Sequence, residues 1–232
     1  MRAEARRTSN EGLEADPLLE RFWERGLVLL GDRVREEYAL QTPIFIDLRH
    51  KLYDDLDVLT SLGQALHQKL VSIVDTDADA AAPSQQVIGI PDTATPLALS
   101  TAIASRATTR PVSYGQMRKK PAAYPGGRSG VSSYMGTKDG SREITLIDDV
   151  MASGRTKQWA IEELNKDGLE VARVLVVVDR EQGGETVVNG RAYPLHSLYT
   201  ISQVIHYYAG TGKVDPETAE KALDHVRSRR FR

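Results

Sequence analysis

The sequence predicts an α/β domain built on a central, mostly parallel β-sheet flanked by helices. Short apolar runs, such as residues 87–90 and 173–179, alternate along the chain with segments of helical periodicity. These runs are continuously apolar, which is typical of strands that are buried on both faces. The chain has 232 residues, of which 41% are hydrophobic, and this is enough for one domain with a full core.

The composition excludes several functional classes. The 30 basic and 32 acidic side chains leave a formal net charge of −2, which argues against a general nucleic-acid coat protein. The absence of cysteine excludes disulfides, cysteine-ligated zinc, iron–sulfur clusters and thiol catalysis. The longest purely apolar run, residues 174–178, is far shorter than the ~20 residues that cross a bilayer, and the polar N-terminus has no signal-peptide core. We therefore expect a soluble, cytoplasmic protein with no nucleic-acid or membrane partner.

The N-terminal part is predicted to contain a flexible arm, a helix and a strand. Residues 1–16 are charged and have little to bury, so we expect an arm followed by one domain over residues 17–232. Asp16 and Pro17 suit the N-cap and the first turn of a helix. β-branched and aromatic residues favour a strand at 43–48.

The middle of the chain is predicted to alternate between helices and strands. Leucines recur at helical spacing in a helix expected at about 55–71, and a polar loop follows at 75–86. The apolar run at 87–90 is closed by a proline and predicts a strand. A helix at 96–105 and a strand at 111–114 complete this part.

The C-terminal half adds two apolar strands, at 143–148 and 173–179, with a helix between them. Gly168 stands where a C-cap glycine is expected after that helix. Before the first of these strands, residues 119–141 are rich in glycine, serine, lysine and arginine. This composition is typical of a mobile loop.

The segment with the clearest chemistry is residues 144–168. Its strand ends in Asp148 and Asp149, at the edge where ligands bind in open α/β sheets. A short turn then leads into a helix that is expected to begin near Thr156. Its backbone N–H groups would hold a phosphate, since unpaired donors and the positive end of the helix dipole coincide there. The residues of this turn are Ala152, Ser153, Gly154, Arg155 and Thr156.

Two acids beside a bound phosphate would repel it unless a sugar diol, a divalent cation or both lay between them. Carboxylates and Mg²⁺ suit each other in such a place. An ordinary strand–turn–helix junction is the alternative interpretation of the same residues. Neither a Walker A sequence nor a G-x-G-x-x-G pattern occurs, which disfavours nucleoside triphosphates and dinucleotides.

The motif LIDDVMASGRT resembles the signature of the type I phosphoribosyltransferases, which bind 5-phosphoribosyl diphosphate (PRPP). Further segments follow in the order expected of an orotate phosphoribosyltransferase and look most like the orotate domain of UMP synthase. They are TPIFIDLR, GIPDTATPLA, MRKK, DREQGG, LHSLYTISQVI and KVDPET. The resemblance covers roughly residues 17–226 and implies the type I phosphoribosyltransferase fold, with a small hood and a flexible catalytic loop. It also implies Mg²⁺ as cofactor and a homodimer in which the loop of one subunit reaches its neighbour's site.

The resemblance further implies roles for individual residues. Asp148 and Asp149 are expected to face the ribose hydroxyls and the Mg²⁺–PRPP complex, with metal contact through PRPP and water. Residues 152–156 are expected to hold the 5′-phosphate, and Arg180 to pair with the orotate carboxylate through its planar fork. Other residues expected at the pyrophosphate and diphosphate are Pro91, Asp92, Thr93, Arg118 and Lys119, with Lys119 and Lys120 as catalytic cations. Residues expected near the acceptor are Phe45, Ala152 and Glu37.

The sequence departs from the family pattern at three places. Ala122 and Ala123 stand where the family loop carries a lysine and an acid, although Lys120 could supply the missing charge. Glu37 falls at or near a lysine that reaches the orotate ring, and Ala152 replaces a threonine. These departures favour, as alternatives to orotate, another heterocyclic acceptor or a PRPP-binding regulator without catalysis.

The sequence therefore predicts a pentosyltransferase, with Mg²⁺-dependent transfer of 5-phosphoribosyl from PRPP to a ring nitrogen. Orotate is the leading acceptor, and the products would be orotidine 5′-monophosphate and pyrophosphate. The five histidines show no metal-ligand spacing, so none of them is assigned to the site.

Overall fold

A computed structural model describes residues 16–77, 84–118 and 133–229 of the chain. Its helices are α1 (Pro17–Glu24), α2 (Asp32–Tyr38), α3 (Leu48–Lys51), α4 (Leu56–Asp77), α5 (Ala94–Ser105), α6 (Arg155–Lys166), α7 (Ile201–Gly210) and α8 (Pro216–Ser228). Its strands are β1 (Val28–Leu30), β2 (Ile44–Ile46), β3 (Gln85–Gly89), β4 (Ser113–Met117), β5 (Tyr134–Met135), β6 (Glu143–Met151), β7 (Val171–Asp179), β8 (Val187–Val188), β9 (Arg191–Ala192) and β10 (Leu195–Thr200).

Six strands form the central sheet, in the order β10-β7-β6-β3-β4-β5. Neighbouring strands are parallel except for β5, which pairs antiparallel with β4. In the middle of the sheet, Ile147 of β6 lies between Gly89 of β3 and Leu175 of β7. The predicted α/β class with a mostly parallel central sheet is thus confirmed.

The connections diverge between the two central strands, β3 and β6. From β3 the chain passes through α5 to β4 on one side, whereas from β6 it passes through α6 to β7 on the other. Because these strands are parallel, their carboxyl ends meet at one edge, and a crevice opens where the connections part. The acidic pair Asp148 and Asp149 ends β6 at this crevice, and Pro91 follows β3 on its other side.

Both faces of the sheet are buried, which explains the continuous apolar runs. Val177 of β7 belongs to a core cluster with Leu66 of α4 and Leu97 of α5. The neighbouring Val176 belongs to a second cluster, on the other face, with Ile161 of α6. Successive side chains of a strand point to opposite faces, so a strand that is covered on both faces is apolar at most of its positions.

Two helix boundaries lie where the sequence predicts them. The Asp16 side chain caps α1 by accepting hydrogen bonds from the backbone N–H groups of Leu18 at 2.9 Å and Leu19 at 3.1 Å. Pro17 occupies the first turn. Gly168 follows α6 with a φ of 75°, a left-handed conformation that favours glycine after a helix.

The region after α1 contains elements that the sequence analysis missed. The helix ends at Glu24, and Gly26 then adopts a φ of 64°. Strand β1 pairs antiparallel with β2 in a separate two-stranded sheet, and the short helix α2 joins them. A strand of three residues is too short to show the alternation of apolar and polar residues that predicts a strand. Such a strand is recognised only from its pairing in the structure. Helix α4 also continues to Asp77, into the stretch that was expected to form a loop at 75–86.

Residues 1–15, 78–83, 119–132 and 230–232 lie outside the described residues. The flexible arm and most of the glycine-rich loop at 119–141 therefore stay predictions. Among the helices that the structure describes, none is both long enough and apolar enough to cross a membrane.

Candidate functional site

A cavity of about 410 Å³ lies at the carboxyl edge of the sheet, where β3 and β6 part. Four segments line it: β2 with the start of α3, the loop after β3, the end of β6 with the turn into α6, and the residue after β7. These segments are distant in sequence. Three of them meet because the parallel strands β3, β6 and β7 end at this edge, and the segment after β2, from the separate two-stranded sheet, packs against them.

The two acids at the end of β6 have different hydrogen-bond and ion-pair partners. Asp148 is only 5% exposed. Its Oδ1 accepts the backbone N–H of Asp149 at 2.9 Å, and its Oδ2 lies 2.6 Å from Nζ of Lys157. Asp149 accepts the backbone N–H of Val150 at 2.8 Å and forms no ion pair with a described basic residue. Asp148 is thus neutralised within the protein, whereas Asp149 is not.

The surroundings of Asp149 disfavour its charged form. Burial raises the pKa of its carboxyl to about 7, and repulsion by Asp148 adds to this effect. The ammonium of Lys157 lowers the pKa of Asp149 and so opposes part of the rise. A hydroxyl donor or a cation placed in the cavity would stabilise the ionised form, so this acid is suited to meet a ligand.

The turn between β6 and α6, residues 152–156, presents the N-terminus of α6 to the cavity. Gly154 is the N-cap, with a φ of 81°, and no side chain caps the first turn of the helix. A Cβ at Gly154 would lie 2.1 Å from the carbonyl oxygen of Glu185, so only glycine fits there. Uncapped N–H donors at a helix N-terminus form an anion site. The cavity is lined here by Ala152, Ser153, Gly154 and Thr156, whereas the side chain of Arg155 is exposed and does not line it.

The loop after β3 forms another part of the cavity. Pro91 and Thr93 line it, whereas Asp92, in the cis peptide that follows Pro91, does not. Nε of Arg49 donates to Oγ1 of Thr93 at 3.2 Å, and the hydroxyl of Tyr53 donates to the backbone oxygen of Asp92 at 3.0 Å. The segment after β2 is thereby fixed onto this loop, and it carries the guanidinium of Arg49 to the cavity.

A buried carboxylate organises the segment after β2. Asp47 is 2% exposed, and it accepts the backbone N–H of His50 at 3.0 Å and the hydroxyl of Tyr38. Nδ1 of His50 lies 2.9 Å from the same carboxylate. Burial alone would raise the pKa of Asp47, but the hydrogen bonds from Tyr38 and His50 outweigh it and hold this pKa below its usual value. Asp47, Arg49 and His50 all line the cavity.

The structure brings most of the residues expected near the acceptor together. Arg180, Phe45 and Ala152 line the same cavity. The backbone N–H of Arg180 donates to the carbonyl of Met151 at 3.0 Å, and burial lowers the pKa of its guanidinium. A half-buried guanidinium of this kind favours an anionic partner.

Other predicted residues lie elsewhere. Glu37 stands on α2, forms an ion pair with Lys51 and does not line the cavity, so its expected place near the acceptor stays a prediction. Arg118 follows β4, where its N–H donates to the carbonyl of Ser133 at 2.9 Å, and it also does not line the cavity. The predictions for Lys119, Lys120, Ala122 and Ala123 lie outside the described residues.

Sequence reasoning missed Lys157, Asp47, Arg49 and His50. A signal for Lys157 was present, because this residue shares the apolar face of α6 with Ala160, Ile161 and Leu164, at the spacing of one helix face. A charged residue on such a face needs a buried partner. The other three follow a strand end, but only the tertiary structure shows that they reach the cavity.

A resident metal is not indicated by the donor set. Within the described ranges, no group of three or more histidine, cysteine, aspartate or glutamate side chains is placed to hold a metal ion. Mg²⁺ commonly uses one or two carboxylates and completes its shell with waters and substrate phosphates. The acidic pair therefore fits a Mg²⁺ ion that binds together with a diphosphate.

Comparison with known proteins decides the family. No family model matches the chain. The chain is 30% identical over 193 residues to UMP synthase from Bos taurus, covering 83% of the chain but only 37% of that enzyme. It is also 30% identical over 191 residues to the orotate phosphoribosyltransferase of Thermococcus gammatolerans, covering 82% of the chain and 91% of that relative. The chain belongs to the orotate phosphoribosyltransferase family.

Solved structures of orotate phosphoribosyltransferases share its fold. The enzyme from Francisella tularensis superimposes with a TM-score of 0.67 at 15% identity, covering 93% of this chain and all (100%) of that one. The enzyme from Mycobacterium tuberculosis, solved with PRPP, superimposes with a TM-score of 0.53 at 18% identity, covering 82% of this chain and 93% of that one. The type I phosphoribosyltransferase fold is thus confirmed.

Proposed function

We propose that this orotate phosphoribosyltransferase family member transfers the 5-phosphoribosyl group of PRPP to a ring nitrogen of orotate. The products are orotidine 5′-monophosphate and pyrophosphate. One observation carries the proposal: the uncapped N-terminus of α6 opens into the same cavity as the carboxyl of Asp149 and the guanidinium of Arg180. One cavity therefore offers donors for a phosphate, an acceptor for ribose hydroxyls and a guanidinium for a carboxylate.

In the proposed complex, PRPP lies with its 5′-phosphate at the N-terminus of α6 and its diphosphate at the loop after β3. Its 5′-phosphate is held by the N–H groups of residues 152–156, where the helix dipole favours negative charge. Its ribose hydroxyls donate to Asp149, which favours the ionised form of that carboxyl. Its diphosphate lies along Pro91 and Thr93, within reach of Arg49.

The acceptor takes the remaining part of the cavity. The guanidinium of Arg180 can hold a carboxylate through two parallel hydrogen bonds. The ring of Phe45 gives the planar heterocycle an apolar surface. A flat, carboxylated ring such as orotate matches these two groups.

The reaction requires positioning and charge stabilisation, and no covalent intermediate with the protein. The bond from ribose C1 to the diphosphate oxygen breaks and its electron pair leaves with pyrophosphate, while an oxocarbenium-like centre develops. The ring nitrogen attacks C1, and its proton passes to the departing pyrophosphate or to water. The rate gain comes from alignment of the two reactants and from fixed donors at the leaving diphosphate. Mg²⁺ bound through PRPP and water at the acidic pair would add positive charge at the leaving group.

The proposal includes a homodimer whose catalytic loop, containing Lys119 and Lys120, covers the site of the neighbouring subunit. Arg118 directly follows β4 and marks the start of that loop. A closed lid would also exclude water from the oxocarbenium-like centre.

A different acceptor is the second candidate. Among the described residues that line the cavity, the single lysine is Lys157, and its ammonium is committed to Asp148. Glu37 falls at or near the position where the resemblance places an orotate-contacting lysine, and it is engaged with Lys51. An acceptor that needs only the contacts of Arg180 and Phe45 would suit this arrangement equally well.

The test is pyrophosphate release from PRPP and Mg²⁺, with orotate, with other heterocycles and without acceptor. We expect release that depends on orotate and that falls at least about 100-fold in Asp149→Asn, because the ribose hydroxyls lose their charged acceptor. Release with another heterocycle and none with orotate would support the second candidate. No release with any acceptor, while PRPP still binds, would contradict catalysis.

A further inference from the structure

Lys157 is a cation in a place that apolar residues normally occupy. It is 4% exposed and shares the buried face of α6 with Ala160, Ile161 and Leu164. A buried ammonium is strongly unfavourable unless an anion and hydrogen-bond acceptors surround it. We therefore expect the positive charge of Lys157, at the rim of the cavity, to have a function that a leucine or methionine could not provide.

The partners of Lys157 all come from the end of β6. Its Nζ lies 2.6 Å from Oδ2 of Asp148 and also donates to the carbonyl of Val150. The other Asp148 oxygen accepts the N–H of Asp149 at 2.9 Å. One ammonium thus ties the last residues of the strand to the first turn of the helix and neutralises the charge of Asp148.

The two acids at the end of β6 differ in their partners. Both oxygens of Asp148 are engaged within the protein, one by the ammonium of Lys157 and the other by the backbone N–H of Asp149. Asp149 accepts the backbone N–H of Val150 and forms no ion pair with a described basic residue, although both acids line the cavity. The acids therefore cannot serve one ribose in equivalent ways.

We propose that Lys157 is a positioning residue of the PRPP site, which holds Asp148 as an internal counter-ion and leaves Asp149 as the acid that meets the ribose. This inference rests on the proposed function. Lys157 acts through Asp148: the pair fixes the geometry of the 152–156 turn and cancels one negative charge beside a highly anionic substrate. Asp148 thereby serves as the ion-pair partner of Lys157, whereas Asp149 accepts hydrogen bonds from the ribose.

The first test measures PRPP affinity by calorimetry in the presence of Mg²⁺. Lys157→Met leaves Asp148 buried and unpaired, so we expect PRPP to bind about 10- to 100-fold more weakly. We also expect KM for PRPP to rise by a larger factor than kcat falls. Lys166→Met is the matched control, because it removes an exposed lysine from the same helix and should leave PRPP affinity unchanged.

The second test separates positioning from packing. In Asp148→Asn/Lys157→Met both members of the buried ion pair are neutral, so this variant should fold even if Lys157→Met does not. We expect it to bind PRPP more tightly than Lys157→Met and more tightly than Asp149→Asn. A double variant as weak as Asp149→Asn, or single effects that simply add, would overturn the inference.

Two further outcomes distinguish this inference from the proposed function. If wild-type protein binds PRPP and Lys157→Met binds it equally well with only a lower melting temperature, Lys157 is a packing residue and the inference fails alone. If wild-type protein shows no PRPP binding in the same titration, both the proposed function and this inference are contradicted.

Discussion

Gly184 stands directly against the backbone of Ala152: a Cβ added at Gly184 would lie 1.9 Å from the carbonyl oxygen of Ala152. A Cβ at Gly154 would likewise lie 2.1 Å from the carbonyl oxygen of Glu185. The turn at 152–156 and the loop after β7 are therefore packed backbone to backbone. This contact sets the direction in which the N–H groups of the turn point.

Gly184→Ala should weaken PRPP binding about 10-fold or more, because the Ala152 carbonyl must move and the donors of the turn move with it. Calorimetric titration with PRPP checks this. Gly140→Ala is the control, since a Cβ there meets nothing within 4 Å. Equal PRPP affinity in Gly184→Ala and the wild type would show that the turn does not hold the phosphate.

Arg180→Lys should raise KM for orotate roughly 10- to 100-fold, because a lysine keeps the charge but loses the two parallel hydrogen bonds to a carboxylate. The affinity for PRPP should stay within about twofold. Steady-state kinetics with each substrate varied in turn measures both effects. If the variant loses PRPP affinity and keeps its KM for orotate, Arg180 contacts PRPP and not orotate.

Arg49→Ala should raise the inhibition constant for pyrophosphate about 10-fold, because a charge-assisted contact beside Thr93 disappears. Product-inhibition kinetics gives this constant directly. Arg35→Ala is a suitable control, since Arg35 forms a surface ion pair with Asp32 and lies away from the cavity. If the two variants respond alike, Arg49 does not contact the diphosphate.

Asp47→Asn should destabilise the fold at neutral pH by about 1–3 kcal/mol, because a buried carboxylate with several donors is lost. The folded-state pKa of Asp47 lies below its unfolded value of about 4. Its stabilising contribution is therefore complete above that unfolded value and disappears as the pH falls through the folded pKa.

The difference in stability between Asp47→Asn and the wild type should accordingly shrink in acid. Chemical denaturation at pH 7 and at successively lower pH values, down to about 3, measures it. A difference that is constant over this range would mean that the ionised form of Asp47 is not the stabilising one.

Much of the fold could be predicted from the sequence for a physical reason. Strand β7 and the middle of β6 are buried on both faces, so most of their positions are apolar and a parallel sheet follows from this pattern. The turn at 152–156 could be predicted as well, because an acidic strand end, a glycine and a helix start are local features. The order of the strands needs the tertiary structure.

The missed features depend on contacts between distant segments. Strand β1 forms only because it pairs with β2, and Arg49 reaches the cavity only because α3 follows that strand. Glu37 aligned with a site residue, but α2 turns its side chain toward Lys51. The commitment of Asp148 to Lys157 likewise could not be predicted, since motif spacing places both acids at one strand end without assigning their partners.

The central claim is that this cavity joins a phosphoribosyl group to orotate. The most direct measurement is chromatographic detection of orotidine 5′-monophosphate after incubation of the protein with PRPP, Mg²⁺ and orotate, with pyrophosphate quantified in the same samples. We predict equimolar formation of the two products in the wild type and almost none in Asp149→Asn. Pyrophosphate without the nucleotide, or nucleotide formation that is unchanged in Asp149→Asn, would contradict the account.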